Sequence, residues 1–219
     1  MTESLALFSL PLFPLETVLF PGGLLPLRIF EVRYLDMISK CHKTGAPFGV
    51  VTLTKGSEVR KAGSGTPNGE GSAQETFHPV GTLATITELS HPQSGLMMVR
   101  CTGTHRFRLS SQNKLKHGLW IGNVVRQPDD QQVKIPDDLK GVATALGNLI
   151  NTLHARDVPF DQMPMQAPYL LEDCAWVANR WCELLPMPLA NKYRLMELDN
   201  PLVRLELVSD ILERSGIAT

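Results

Sequence analysis

The sequence has no excess of charge of either sign: 21 Lys and Arg stand against 22 Asp and Glu in 219 residues. A chain that binds polyanions over its whole surface, or one that stays disordered as an acidic tail, needs a strong imbalance, so both classes are excluded. No apolar run approaches the roughly 18 residues of a membrane span. The N-terminus is rich in Leu and Phe but has no Lys or Arg before Arg28 and is interrupted by Glu3, Pro11, Pro14 and Pro21. That is not the pattern of a signal peptide, and a cytosolic protein without membrane contact is the expectation. The four cysteines, Cys41, Cys101, Cys174 and Cys182, form no CxxC pair. Each lies among apolar residues, so small buried hydrophobes are expected rather than metal ligands or disulfide partners. Six histidines make no HExxH pair, no GxSxG elbow is present, and Gly63-Ser64-Gly65 is followed by no Gly-Lys-Ser/Thr. Neither a metal site, a nucleophile elbow nor a phosphate loop has sequence support, and no cofactor is expected.

What is present divides by position. From Pro79 to Arg126 six basic residues face one acid, Glu88, whereas from Gln127 onward eight basic residues face fourteen acidic ones. The same boundary separates two kinds of periodicity. Up to about residue 127 the chain reads as a β-rich subdomain: proline-broken short strands over Ser4–Leu27, one helix carrying Phe30, Tyr34, Met37, Ile38 and Cys41 at helical spacing until Gly45-Ala46-Pro47, then a strand over Phe48–Thr54. Lys55–His78 has five glycines and little to bury, and reads as a long exposed loop. Val80–Ser90 and Leu96–Ser110 read as paired strands turning at His91–Gly95. In the second, Met97, Val99, Cys101, Phe107 and Leu109 share one face and Arg100, Thr102, Thr104, Arg106 and Arg108 the other, with Gly103 placed for a bulge or bend. Trp120–Val125 adds a strand. Residues 128–219 read as a helical bundle. Its first stripe is Leu139, Val142, Leu146, Leu149, Ile150 and Leu153, with Asp137 as cap, and its second runs from Leu171 to Leu185. Two short helices follow, split at Asn200-Pro201.

Two surfaces are candidates for binding. The Arg100/Arg106/Arg108 face could track an RNA backbone but lacks the aromatics that would stack on bases, so a solvated strand face is the plainer reading. The entry segment holds Val18, Leu19, Phe20, Leu24, Leu25 and Leu27, more apolar side chains than one strand pair buries. Part of it is a candidate partner surface. His105, on the apolar face of the basic strand, reads as a packed, hydrogen-bonded residue rather than a catalytic one.

Taken in order, VLFPGGLLPLRIFEVRY (Val18–Tyr34), the polar loop running into VGTLATI (Val80–Ile86), VRCTGTHRFRL (Val99–Leu109) and ELLPMPLANKYRLMELDNPLVRLELVSDIL (Glu183–Leu212) resemble the N-terminal, substrate-binding domain of Lon protease. The resemblance implies an α+β fold, a PUA-like, mostly antiparallel β pseudo-barrel with one helix and then a C-terminal helical bundle. It implies a non-enzymatic module for protein or unfolded polypeptide segments, with a separate protease as a candidate partner; the alternative is an RNA-binding PUA-like module using the basic strand Arg100–Arg108. Lon's ATPase, with its phosphate loop, and its Ser-Lys protease have no counterpart in this sequence, so a stand-alone module is the expectation. No catalytic, cofactor or metal residue carries over. The binding edge expected from this resemblance and the apolar entry segment is Leu24, Leu25 and Arg28 with the outer side of the following helix, Arg33 and Asp36.

Overall fold

In the computed structural model, which describes residues 5–55 and 75–217, the expected change from strands to helices is present. The first part comprises β1 (Ala6–Leu15), β2 (Leu24–Ile29), α1 (Val32–Thr44), β3 (Phe48–Lys55), β4 (Thr76–Gln93), β5 (Leu96–Lys114) and β6 (Trp120–Arg126). β1 and β3 run parallel, from Leu12 opposite Gly49 to Leu15 opposite Thr52. The pairs β1–β6, β3–β4, β4–β5 and β5–β6 are antiparallel. Because β6 pairs with both β1 and β5, five strands close into a ring. β2 stands outside it as an edge strand on β5. The architecture is α+β with a mixed, mostly antiparallel sheet.

β5 can serve two neighbours because it is long and bent. It pairs with β4 up to Arg108 and with β6 from Phe107. Between the pairs Ala84–Gly103 and Thr82–Arg106 it carries one residue more than β4, which is a bulge. Gly103 lies where a Cβ would come 2.4 Å from the carbonyl oxygen of Phe20, so no side chain fits there. The segment it touches is fastened from the sheet: the Thr52 hydroxyl donates to the Thr17 carbonyl at 3.0 Å and the Thr82 hydroxyl to the Leu19 carbonyl at 2.6 Å. Val18, Leu19 and Phe20, read as partly exposed candidates, are buried by this docking.

Three local expectations change. The hairpin turn is two residues rather than five, since Gln93 faces Leu96 and Gly95 takes the left-handed conformation that such turns need. Lys55 still belongs to β3 and Thr76–His78 to β4, with Glu75 buried just before it; residues 56–74 of the glycine-rich loop lie outside the described residues. Phe30 does not belong to the buried helical stripe. α1 begins after it, with Glu31 at the cap position, and ends at Gly45 in the left-handed conformation. The rest of the stripe, Tyr34, Met37, Ile38 and Cys41, packs with Phe13, Phe48, Val50, Val99 and Cys101 in the larger core cluster. Leu10, Leu12, Val51, Leu83, Phe107 and Val124 form a smaller one.

The second part comprises α2 (Lys140–Ala155), α3 (Cys174–Leu184), α4 (Leu189–Glu197) and α5 (Pro201–Arg214). Asp137 does not cap α2. It sits in a 3-10 turn and pairs with Lys140 at 2.6 Å on the surface. Asp173 caps α3 by accepting from the Trp176 amide, and Asn200 caps α5 by accepting from the amides of Leu202 and Val203, with Pro201 in the first turn as expected. α3 packs chiefly against α5, and its residues from Val177 to Cys182 are buried. Two buried arginines tie this part together: Arg180 donates to the Gly22 carbonyl and pairs with Glu183, while Arg204 pairs with Asp130 at 2.6 Å and donates to Asn179 at 2.9 Å. By compactness the chain forms two units, one of residues up to Pro21 with Leu25–Pro128, the other of Gly22–Leu24 with Asp129 onward.

Candidate functional site

The first unit carries an open groove of about 260 Å³ where β2 leads into α1. Local chain geometry creates it. Along β2 the side chains alternate, Leu25 and Ile29 entering the core while Pro26 and Arg28 stay exposed. The chain then turns through Phe30-Glu31 before the helix starts. Phe13 and Tyr34, stacked with ring centroids 4.0 Å apart, line the groove together with Leu15, Leu27 and Ile29. Phe30 lines it while 51% exposed, and the next apolar residue, Val32, is 71% exposed. Phe30 and Val32, on either side of Glu31, thus leave apolar side chains in water at the mouth of the helix.

Behind the groove lies a charged cluster. Arg33 is buried: its Nε donates to Glu31 at 3.0 Å, its Nη1 to the Gly118 carbonyl at 2.7 Å, and its guanidinium sits 4.4 Å from the centre of the Tyr34 ring. Its Nη2 faces Glu75 at 3.6 Å. Glu75, also buried, accepts from Lys114 at 2.8 Å and from the Trp120 indole at 2.7 Å. Burial pushes the Glu75 carboxyl up, but these two hydrogen bonds and the charges of Lys114 and Arg33 outweigh it, and the net pKa is below the ordinary value. Two cations and two carboxylates thus neutralise one another and hold Tyr34 and Glu31, two walls of the groove, in place.

The residues expected at a binding edge are therefore distributed differently. Arg28 lines the groove and is exposed; Asp36 is exposed on α1; Leu24 is half-buried. Leu25 is only 8% exposed and belongs to the core, and Arg33 points inward, where its fork meets two carboxylates and a carbonyl rather than solvent. Phe30 fits a helical period by spacing alone, and Val32, the first residue of α1, lies off its buried stripe. Nothing in Glu31 announces the helix start, since its side chain makes no capping hydrogen bond and glutamate is not among the preferred cap residues.

On the basic strand, alternation fails after the bulge, and Arg106 is 3% exposed, not solvated as its period implied. Arg100 lies 3.5 Å from Glu88, and Arg108 is exposed. His105 is half-buried. All four cysteines are buried with free thiols; burial pushes Cys101 and Cys182 up to about 12, Cys174 to about 11, and Cys41 upward. These are not nucleophiles at neutral pH. Among the described residues no three His, Cys, Asp or Glu side chains are grouped to hold a metal, and no helix is long and apolar enough to cross a membrane.

Fold and groove together define an α+β protein with a five-strand ring, an added edge strand, and an open apolar groove beside that edge. The family model of the ATP-dependent protease La (LON) substrate-binding domain matches residues 9–214, and the chain belongs to this family. The crystal structure of a Lon N-terminal domain protein from Xanthomonas campestris is similar over 93% of this chain and 98% of that one, at 29% identity and a TM-score of 0.69. The N-terminal domain of the Mycobacterium avium complex Lon protease shares the fold over 92% of this chain and 96% of that one, at 15% identity and a TM-score of 0.55. No curated protein sequence matches the chain.

Proposed function

We propose that this protein is a Lon-N-like binding module that holds extended or unfolded protein segments in the groove at the β2–α1 junction. It acts by binding, without catalysis of its own, and a separate protease is the candidate recipient of what it holds. The observation that carries the reading is the groove lined by Phe30, with Val32 exposed two residues further on, in a family described by substrate binding. Pro26 lends further support. As a residue of an edge strand without an amide hydrogen, it interrupts any ladder a client strand would form along β2, so recognition rests on side chains in the groove. The basic strand offers RNA less, since Arg106 is buried and Arg100 faces Glu88.

The test is binding of a reduced, alkylated and therefore permanently unfolded protein by the wild type and by a Phe30→Ser/Val32→Ser variant whose fold is verified by circular dichroism. Loss of two apolar anchors is expected to weaken binding about tenfold or more. Unchanged affinity in the folded variant would exclude the groove.

A further inference from the structure

Resting on that reading, we infer that the groove selects among client segments by charge, taking those that place an acidic side chain beside a large apolar one. Three observations carry this. The groove is smaller than the roughly 300 Å³ at which small-molecule sites begin, which suits one or two side chains of a passing chain rather than a whole ligand. Its lining is aromatic and aliphatic, so an apolar residue is the anchor. The charges around it do not cancel at the rim. Of the ionisable side chains lining it, Glu31 is already engaged by Arg33 at 3.0 Å, and Arg33 in turn faces Glu75, which Lys114 holds at 2.8 Å. That set of two cations and two carboxylates is neutral. Arg28 remains exposed on the groove wall, with no ion-pair partner among the described residues.

A guanidinium presents two parallel N–H donors that match a carboxylate, so a Glu or Asp next to the anchored residue gains a bidentate partner. A Lys or Arg at the same place meets a like charge. Discrimination then comes from both the attraction and the repulsion. At a solvent-exposed rim each effect is small, about threefold, and the acidic-to-basic ratio is expected near tenfold at low salt and reduced at high salt.

Labelled peptides sharing one Leu-Phe core, flanked by Glu, Gln or Lys, test this by fluorescence anisotropy against the wild type, Arg28→Glu, Arg28→Gln and Phe30→Ser. The expected order is Glu tightest and Lys weakest for the wild type, no preference for Arg28→Gln, and the reverse order for Arg28→Glu. Phe30→Ser weakens all three peptides alike. If the peptides bind the wild type equally and Arg28→Glu changes nothing while Phe30→Ser still weakens them, the charge selection is wrong and the groove stands. If Phe30→Ser leaves every affinity unchanged, the groove and the selection both fall.

Discussion

Arg33 shows how one residue's surroundings can reverse its role. On α1 it occupies a position that spacing alone would allow to face water, yet it lies under Tyr34 with Glu31 and Glu75 around its fork. Truncating one member of a buried charge set leaves the others uncompensated at a cost of about 3–5 kcal/mol, so Arg33→Met and Glu75→Leu should each lower unfolding free energy by about 3 kcal/mol in urea titrations. Glu75 also predicts a pH dependence. Its folded pKa is below the ordinary glutamate value of 4.5, so its stabilisation is complete above that value and is lost as pH falls through the lower folded one. The stability gap between the wild type and Glu75→Gln should therefore be constant near neutrality and shrink below about pH 4.5. Leu25 and Phe30 make the complementary contrast. Leu25→Ala should cost about 2–4 kcal/mol because it empties core volume, whereas Phe30→Ser should stay within about 0.5 kcal/mol and act on binding alone.

At the scale of elements, the informative departures are local breaks in period. The helices were legible because their caps and stripes are written in adjacent residues: Asn200-Pro201 before α5 and Gly45 after α1 act within one turn. Asn200→Ala should thus cost about 1 kcal/mol in thermal unfolding, through the two amides it leaves unsatisfied. β5 was legible only as far as its bulge. A two-residue period assigns faces until one extra residue is inserted, and nothing in Thr104 or His105 announces that insertion; Gly103 hints at it. Any side chain there meets the Phe20 carbonyl, so Gly103→Val should destabilise more than a typical strand substitution, by over 3 kcal/mol, and loosen the Glu16–Phe20 segment in hydrogen exchange. Phe30 falls outside α1 for the related reason that helical spacing does not say where the helix starts.

At the scale of the whole chain, four thiols report on the cores of both units. Cys41 and Cys101 lie in the first and Cys174 and Cys182 in the second, all buried, with pKa values held far above neutrality by desolvation. A thiol reagent at pH 7 should label none of them quickly in the native protein and all four in denaturant. Mass spectrometry at intermediate denaturant should show whether the two pairs become reactive together or in sequence, which distinguishes one cooperative transition from two. The balanced net charge conceals a basic strand region and an acidic helical region, and within the first Lys114 pairs with the buried Glu75 and Arg100 with the exposed Glu88.

The amino-acid order carries the class of fold and the family, because those depend on the succession of strands, caps and apolar stripes, and such features act between residues close along the chain. It also marks the cysteines as small buried hydrophobes, since their neighbours are apolar. Contacts between distant segments set which apolar and which charged residues remain in water. Whether Arg33 meets solvent depends on Glu75, and whether Phe30 is covered depends on what β1 and β2 place around it. Burial is a property of residues distant in sequence brought together, and the groove is built from such residues.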